Sequence, residues 1–164
     1  MAVKTVRELF IHELSDTYSA EKQMTRSLPK MARAASDEQL AQAFRDHLEE
    51  TRGQVERIDQ IVELTGLKLK RIKCAAMEGL VEEGNDLIDE IDMGPVLDVA
   101  LLGAAQKVEH YEIASYTTLV LLATKLGFMD AVPLLEASLA EEKATDEKLG
   151  TLGQAASIEE AVQG

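Results

Sequence analysis

Glu21 stands in an otherwise apolar file, seven residues after Leu14 and seven before Leu28, and Glu142 repeats the arrangement between Leu135 and Leu149. A seven-residue step returns a helix to nearly the same face, so both carboxylates are directed at a core. An unpaired carboxylate there is costly; it must be partnered, protonated or bound to a cation. Coordination of a metal ion is the chemistry that uses several such groups at once.

The short turns give a common origin for comparing heights. Glu21 lies 15 residues before Ser36 and Glu50 lies 14 after it, while Glu112 lies 15 before Gly127 and Glu142 lies 14 after Phe128. At 1.5 Å per residue each carboxylate is about 21 Å from its turn, near mid-helix. One acid from each of four helices can therefore converge. Glu109 adds a carboxylate one turn before Glu112, and Gln54 and Asp146 follow Glu50 and Glu142 by four residues. The candidate metal ligands are Glu21, Glu50, Gln54, Glu109, Glu112, Glu142 and Asp146. Glu from two helices and Glu-x-x-His from two others is the usual di-iron or di-manganese arrangement. Here Gly53 and Thr145 occupy the histidine positions, so the site is dominated by oxygen donors, which suits manganese or magnesium as well as iron.

Each residue also has a plainer account. Glu50 lies on the flank of its apolar stripe and Glu112 well off its own, so either could be an ordinary surface acid. His47 and His110 fall on apolar faces and read as hydrogen-bonded core residues near the site rather than ligands, while Tyr18 and Tyr116 read as core residues whose hydroxyls reach a polar layer.

Four long helices and one shorter one must position these groups. Val6, Phe10, Leu14, Thr17, Met24, Leu28 and Met31 mark the first, over about 4–35, with Pro29 a possible kink. Asp37 and Ser36 are N-cap residues for the second, whose stripe Leu40, Phe44, Leu48, Val55, Ile58 and Val62 ends near Gly66. A long crossover then carries a basic patch (Lys68, Lys70, Arg71, Lys73) and its own helix from Ile72 to about Ile91. The third core helix runs from about Val96 to Leu126, stopped by Gly127, and the fourth from an Asp130 cap to about residue 152. Two helical hairpins joined by one long crossover form the ferritin-like connection. The expected fold is thus all-α: a ferritin-like four-helix bundle with an additional helix in the crossover. It forms one domain over 1–164, with the bundle over about 4–152 and a frayed tail over 153–164.

Composition agrees: 46% of residues are hydrophobic and only 4% aromatic, with 3 prolines, as suits a core of small and aliphatic side chains between helices. A net charge of -13, from 30 acidic against 17 basic residues, disfavours a nucleic-acid partner. Cys74 is the only cysteine, so no intrachain disulfide, four-cysteine zinc site or rubredoxin-like centre can form. The single cysteine and the lack of a long uncharged apolar run lead us to expect a cytoplasmic protein with no membrane partner. On the crossover helix, Cys74, Ala75, Met77, Leu80, Val81 and Leu87 offer apolar surface that four helices cannot fully cover, which predicts a homodimer.

The strings FIHELSDTYSAEKQMTRSLPKMARA, HLEETRGQVERIDQ, IKCAAMEGLVEE, AAQKVEHYEIASYTTL and EEKATDEKL resemble the YciF-type bacterial stress proteins of the ferritin-like superfamily, over roughly residues 4–152. That resemblance implies a dimer of bundles related to rubrerythrin, with a dinuclear metal site and expression under stress, but no set reaction. Relatives can place His at position 52 or 54, where this chain has Arg52 and Gln54. Two functions compete: a metal-binding protein handling iron or peroxide, and a non-enzymatic structural or interaction protein whose central acids are satisfied by Lys22, Arg26, His47, His110 and water.

Overall fold

A computed structural model describes residues 2–156 and contains five helices: α1 (Val6–Ala34), α2 (Glu38–Thr65), α3 (Ala75–Glu90), α4 (Pro95–Leu126) and α5 (Val132–Ala155). Residues 157–164, which include most of the expected tail, lie outside the described residues. The helix ends follow local chemistry. Thr5 and Glu8 form a capping box at the start of α1, and the Asp37 carboxylate accepts the Leu40 N–H at 2.9 Å at the start of α2. α2 and α4 each end on a glycine in the left-handed region, Gly66 (φ 66°) and Gly127 (φ 74°), where a side chain would be strained. α1 continues through Pro29 to Ala34 as one helix.

Two boundaries differ from expectation. Asp130 does not cap α5: Ala131 precedes the helix, the Phe128 carbonyl accepts the N–H groups of both Ala131 and Val132, and Pro133 has none to satisfy. The crossover helix begins at Ala75 rather than Ile72. Here α1 side chains engage the backbone of the preceding strap: Ser15 Oγ accepts the Lys70 N–H and Ser19 Oγ the Cys74 N–H, both at 2.9 Å, while the Gln23 amide donates to the Cys74 carbonyl at 3.1 Å. A backbone spent on those partners stays extended.

α1 packs on α2 and α4, α5 on α2 and α4, and α3 lies outside against α1 and α4. The start of α4 sits beside the α1–α2 turn: the Asp98 carboxylate accepts the Ser36 N–H (2.7 Å), the Ser36 hydroxyl (2.5 Å) and the Asp37 N–H (3.0 Å). α4 therefore runs antiparallel to α1, as the crossover requires. Cys74 and Met77 are fully buried within the chain, and Leu80, Val81 and Leu87 pack against the same cluster. Of the apolar residues expected to offer a partner surface, Cys74 and Met77 are thus covered by the chain itself, while Leu80, Val81 and Leu87 are partly buried and Ala75 is exposed.

Apolar packing falls into two clusters. One holds Met24, Leu28, Phe44, Leu101, Ala105 and Leu149 near the α1–α2 turn; the other holds Phe10, Leu14, Ile58, Tyr116, Leu119 and Leu135 toward the opposite end. Between them lies a layer of buried polar groups. Replacing Asp98 with Ala would strand the Ser36 and Asp37 N–H groups at a half-buried joint; urea denaturation is expected to show a loss of about 1–3 kcal/mol, with helicity retained.

Candidate metal centre

Three helices contribute the tightest group of buried donors. His47 of α2, Glu109 and Glu112 of α4, and Glu142 of α5 are all buried, and each offers a ligand atom such that the four lie within 4.8 Å of one another. Donors about 2.0–2.4 Å from a common ion are separated by at most about 4–5 Å, so the group is of a size to surround one cation. His47 Nε2 is 2.7 Å from Glu109 Oε1 and 4.0 Å from Glu142 Oε2. At ion-pair distance, Nε2 is still off the line of a hydrogen bond and has no hydrogen-bonding partner among the described residues.

α1 supplies Glu21, fully buried, whose Oε1 accepts the Tyr116 hydroxyl at 2.8 Å while its Oε2 is unpartnered. Both oxygens of Glu112 and of Glu142, Oε2 of Glu109, and both ends of the fully buried Gln54 amide are likewise without hydrogen bonds. Buried polar atoms are ordinarily paired, and so many orphans in one layer need an occupant or a proton. This donor set, carboxylates with one imidazole and one amide, fits a hard divalent cation.

The remaining expected residues lie outward. Glu50, with 40% of its side chain exposed, stands at the rim, where Oε2 accepts the Thr145 hydroxyl at 3.1 Å and faces His47 Nδ1 at 3.4 Å. Asp146 is partly buried and pairs with His110 Nε2 at 3.2 Å. His110 is 69% exposed rather than on a core face. Tyr18 is only partly buried, with the Lys22 ammonium over its ring.

His47 is the donor that spacing from Glu50 overlooks. A search for Glu-x-x-His looks forward to Gly53, whereas the histidine stands three residues before Glu50. A signal for it does exist: Phe44, His47, Thr51, Gln54 and Ile58 step by threes and fours along the most buried line of α2.

Electrostatics follow burial. Desolvation raises the Glu21 carboxyl from its ordinary 4.5 to about 7, against the Tyr116 hydrogen bond. Glu112 is pushed well above 4.5 by burial and then by Glu142, Glu21 and Glu109, and Glu142 by burial and then by Glu109. Burial pulls the His47 imidazole down, but Glu109 and Glu50 outweigh it and hold it well above 6.5. Only at the rim is a carboxyl favoured in its charged form: the hydrogen bond from His47 lowers Glu50.

A ferritin-like helical bundle with a buried histidine–carboxylate cluster at mid-height is the class that this fold and site define. The chain belongs to the family described as a domain of unknown function, DUF892, which matches residues 5–162. It is 61% identical over 153 residues to protein YciF of Escherichia coli strain K12, covering 93% of this chain and 92% of that protein. The crystal structure of the E. coli stress protein YciF superposes with a TM-score of 0.90 over 92% of this chain and 96% of that one. YcfI from Rhodopseudomonas palustris, provisionally described as a structural protein, is 44% identical with a TM-score of 0.87, covering 91% of this chain and 95% of that one. A protein from Xanthomonas campestris pv. campestris is 26% identical with a TM-score of 0.75, covering 92% and 93%.

Without metal, groups whose folded pKa is raised favour folding at low pH, and that benefit is lost as pH climbs. For Glu21 the window runs from its ordinary 4.5 to about 7; Glu112, Glu142 and His47 act in the same direction over windows reaching higher, and Glu50 opposes them weakly. In chelator, the thermal midpoint should therefore fall between pH 4.5 and 7, and added divalent cation should flatten the fall. A midpoint that rises over that window would contradict the cluster.

Proposed function

We propose that this chain is a ferritin-like metal-binding stress-response protein whose buried centre holds two ions of iron or manganese and serves iron or peroxide handling. The observation that carries this reading is the layer of unpartnered buried donors on α1, α2, α4 and α5. His47, Glu109, Glu112 and Glu142 would hold one ion. Glu21 and Gln54 are the buried oxygen donors that would be left for a second, and Glu112, which feels the charges of both Glu142 and Glu21, would serve either ion. Bound iron or manganese would supply Lewis acidity and one-electron redox chemistry. The chain's own groups do the rest. The carboxylates release their protons to offset the cation charge, the two apolar clusters keep bulk water out, and Tyr116 holds one oxygen of Glu21 so that the other stays directed inward. By likeness to the E. coli stress protein, the setting is a stress response, and the lone buried thiol of Cys74 suits the cytoplasm.

A second reading has its own support. The His47–Glu109 ion pair, the Tyr116–Glu21 hydrogen bond and protonation of Glu112 and Glu142 offset the buried charge without a metal, as a structural or interaction protein would need. Elemental analysis of protein purified without chelator separates the two. About two iron or manganese atoms per chain supports the first reading; no metal, and no uptake of Fe(II) or Mn(II) when offered, supports the second. Glu21→Ala and Glu142→Ala are expected to lower the metal content while circular dichroism stays near that of the parent; retention of the full content in both variants would refute the assigned site.

A further inference from the structure

We infer that Glu50 is not a metal ligand but a positioning residue, which with Thr145 fixes the His47 ring so that Nε2 faces the cation site. The inference rests on the metal-binding reading above for its purpose, and on geometry for its content. An imidazole binds a metal through one nitrogen only, and the other must donate its N–H to an acceptor that sets tautomer and ring orientation. His47 has its two ring edges divided in this way. Nε2 faces Glu109 and Glu142 inside the bundle. Nδ1 faces Glu50 Oε2 at 3.4 Å and Thr145 Oγ1 at 3.5 Å.

Thr145 cannot donate to Nδ1, because its hydroxyl proton is already committed to Glu50 Oε2 at 3.1 Å, so Nδ1 must be the donor on this side of the ring. That bond does two things: it locks the carboxylate against the outer edge of the ring, and it leaves the Thr145 oxygen able to accept from Nδ1 as well. Glu50 is absent from the group of ligand atoms within 4.8 Å of one another and lies on the opposite side of the ring from it. The Thr145 hydroxyl therefore acts at the position where a Glu-x-x-His helix would carry its histidine, three residues after Glu142. Here that position orients a histidine from the facing helix instead of supplying one.

The test uses Zn²⁺ alone as probe, by calorimetric titration of the full chain, because zinc is diamagnetic and permits NMR of the same samples. Outer partners of metal-bound histidines typically contribute about 10–100-fold in affinity. Glu50→Ala should weaken zinc binding by a factor in that range with the number of ions per chain unchanged. Glu50→Gln retains an accepting oxygen and should recover most of the loss, whereas His47→Ala should lose the site. Equal losses of bound ion in Glu50→Ala and Glu50→Gln would make Glu50 a ligand and overturn the inference, as would parental affinity in Glu50→Ala. A second readout needs no metal: a slowly exchanging Nδ1–H resonance of His47, expected in the parent and in Glu50→Gln and absent in Glu50→Ala. Should the parent take up no cation, that resonance alone decides. Its dependence on residue 50 would uphold the positioning role while the metal reading falls, and its independence would overturn the inference.

Discussion

Four glutamates, Glu21, Glu109, Glu112 and Glu142, are buried at the middle of a bundle otherwise packed with aliphatic side chains. Transferring an ionised carboxylate from water to such an environment costs several kcal/mol even after relaxation, and four of them also repel one another. Much of the surrounding arrangement can be understood as a response to that cost. The core divides into two apolar clusters because no aliphatic layer can run through mid-height. His47 is held in its charged form beside Glu109, the Tyr116 hydroxyl donates a hydrogen bond to Glu21, and Glu112 and Glu142 favour their neutral form. A cation would relieve the same tension at once.

Holding the layer together requires that the helices keep their relative heights to within a fraction of a turn, since one residue of slip moves a donor by about 1.5 Å and rotates it by about 100°. The connections supply that register. Asp98 ties the first turn of α4 to the α1–α2 turn through three hydrogen bonds, so the two hairpins share an origin at one end. The strap before α3 is held at Ser15 and Ser19 of α1, which keeps the crossover close alongside α1 before α3 packs back against α4. Tyr111 joins these parts, donating to Asp16 of α1 at 2.7 Å while its oxygen lies 3.0 Å from Cys74 Sγ.

The fold was legible in the sequence because its determinants are local and periodic: long apolar stripes, a cap at Asp37, glycines at 66 and 127, and one connection too long for a hairpin. Glu21 and Glu142 were legible for the same reason, since each interrupts a seven-residue apolar step and is buried. Counting from the turns gave the height of Glu50 and Glu112 but not the direction each faces. Glu112, off the apparent stripe of α4, points inward because α4 is covered on several sides and has no single apolar face to read. Glu50 points to the rim because the buried line of α2 passes through His47 and Gln54. The Asp98 clamp and the serines that hold the strap were out of reach, because they join residues 55 to 62 positions apart and leave no periodic trace.

Glu21 and Glu112 stand at equal distances before their turns and both are buried, yet Glu50 and Glu142 stand at equal distances after theirs and only Glu142 is. That break in symmetry sets the chemistry of the centre. A fully symmetric pair would present a carboxylate from every helix and leave the negative charge to be offset by metal alone. By turning α2 so that His47 replaces Glu50 on the inner face, the chain places one positive-capable group against Glu109 and moves one carboxylate to solvent. The cluster then tolerates a metal-free state that a four-carboxylate layer would strain against, and it keeps an imidazole nitrogen available to a cation once its proton leaves. An ion pair that offsets buried charge and a group of donors that could hold a cation are in this bundle two consequences of the same inward placement of His47.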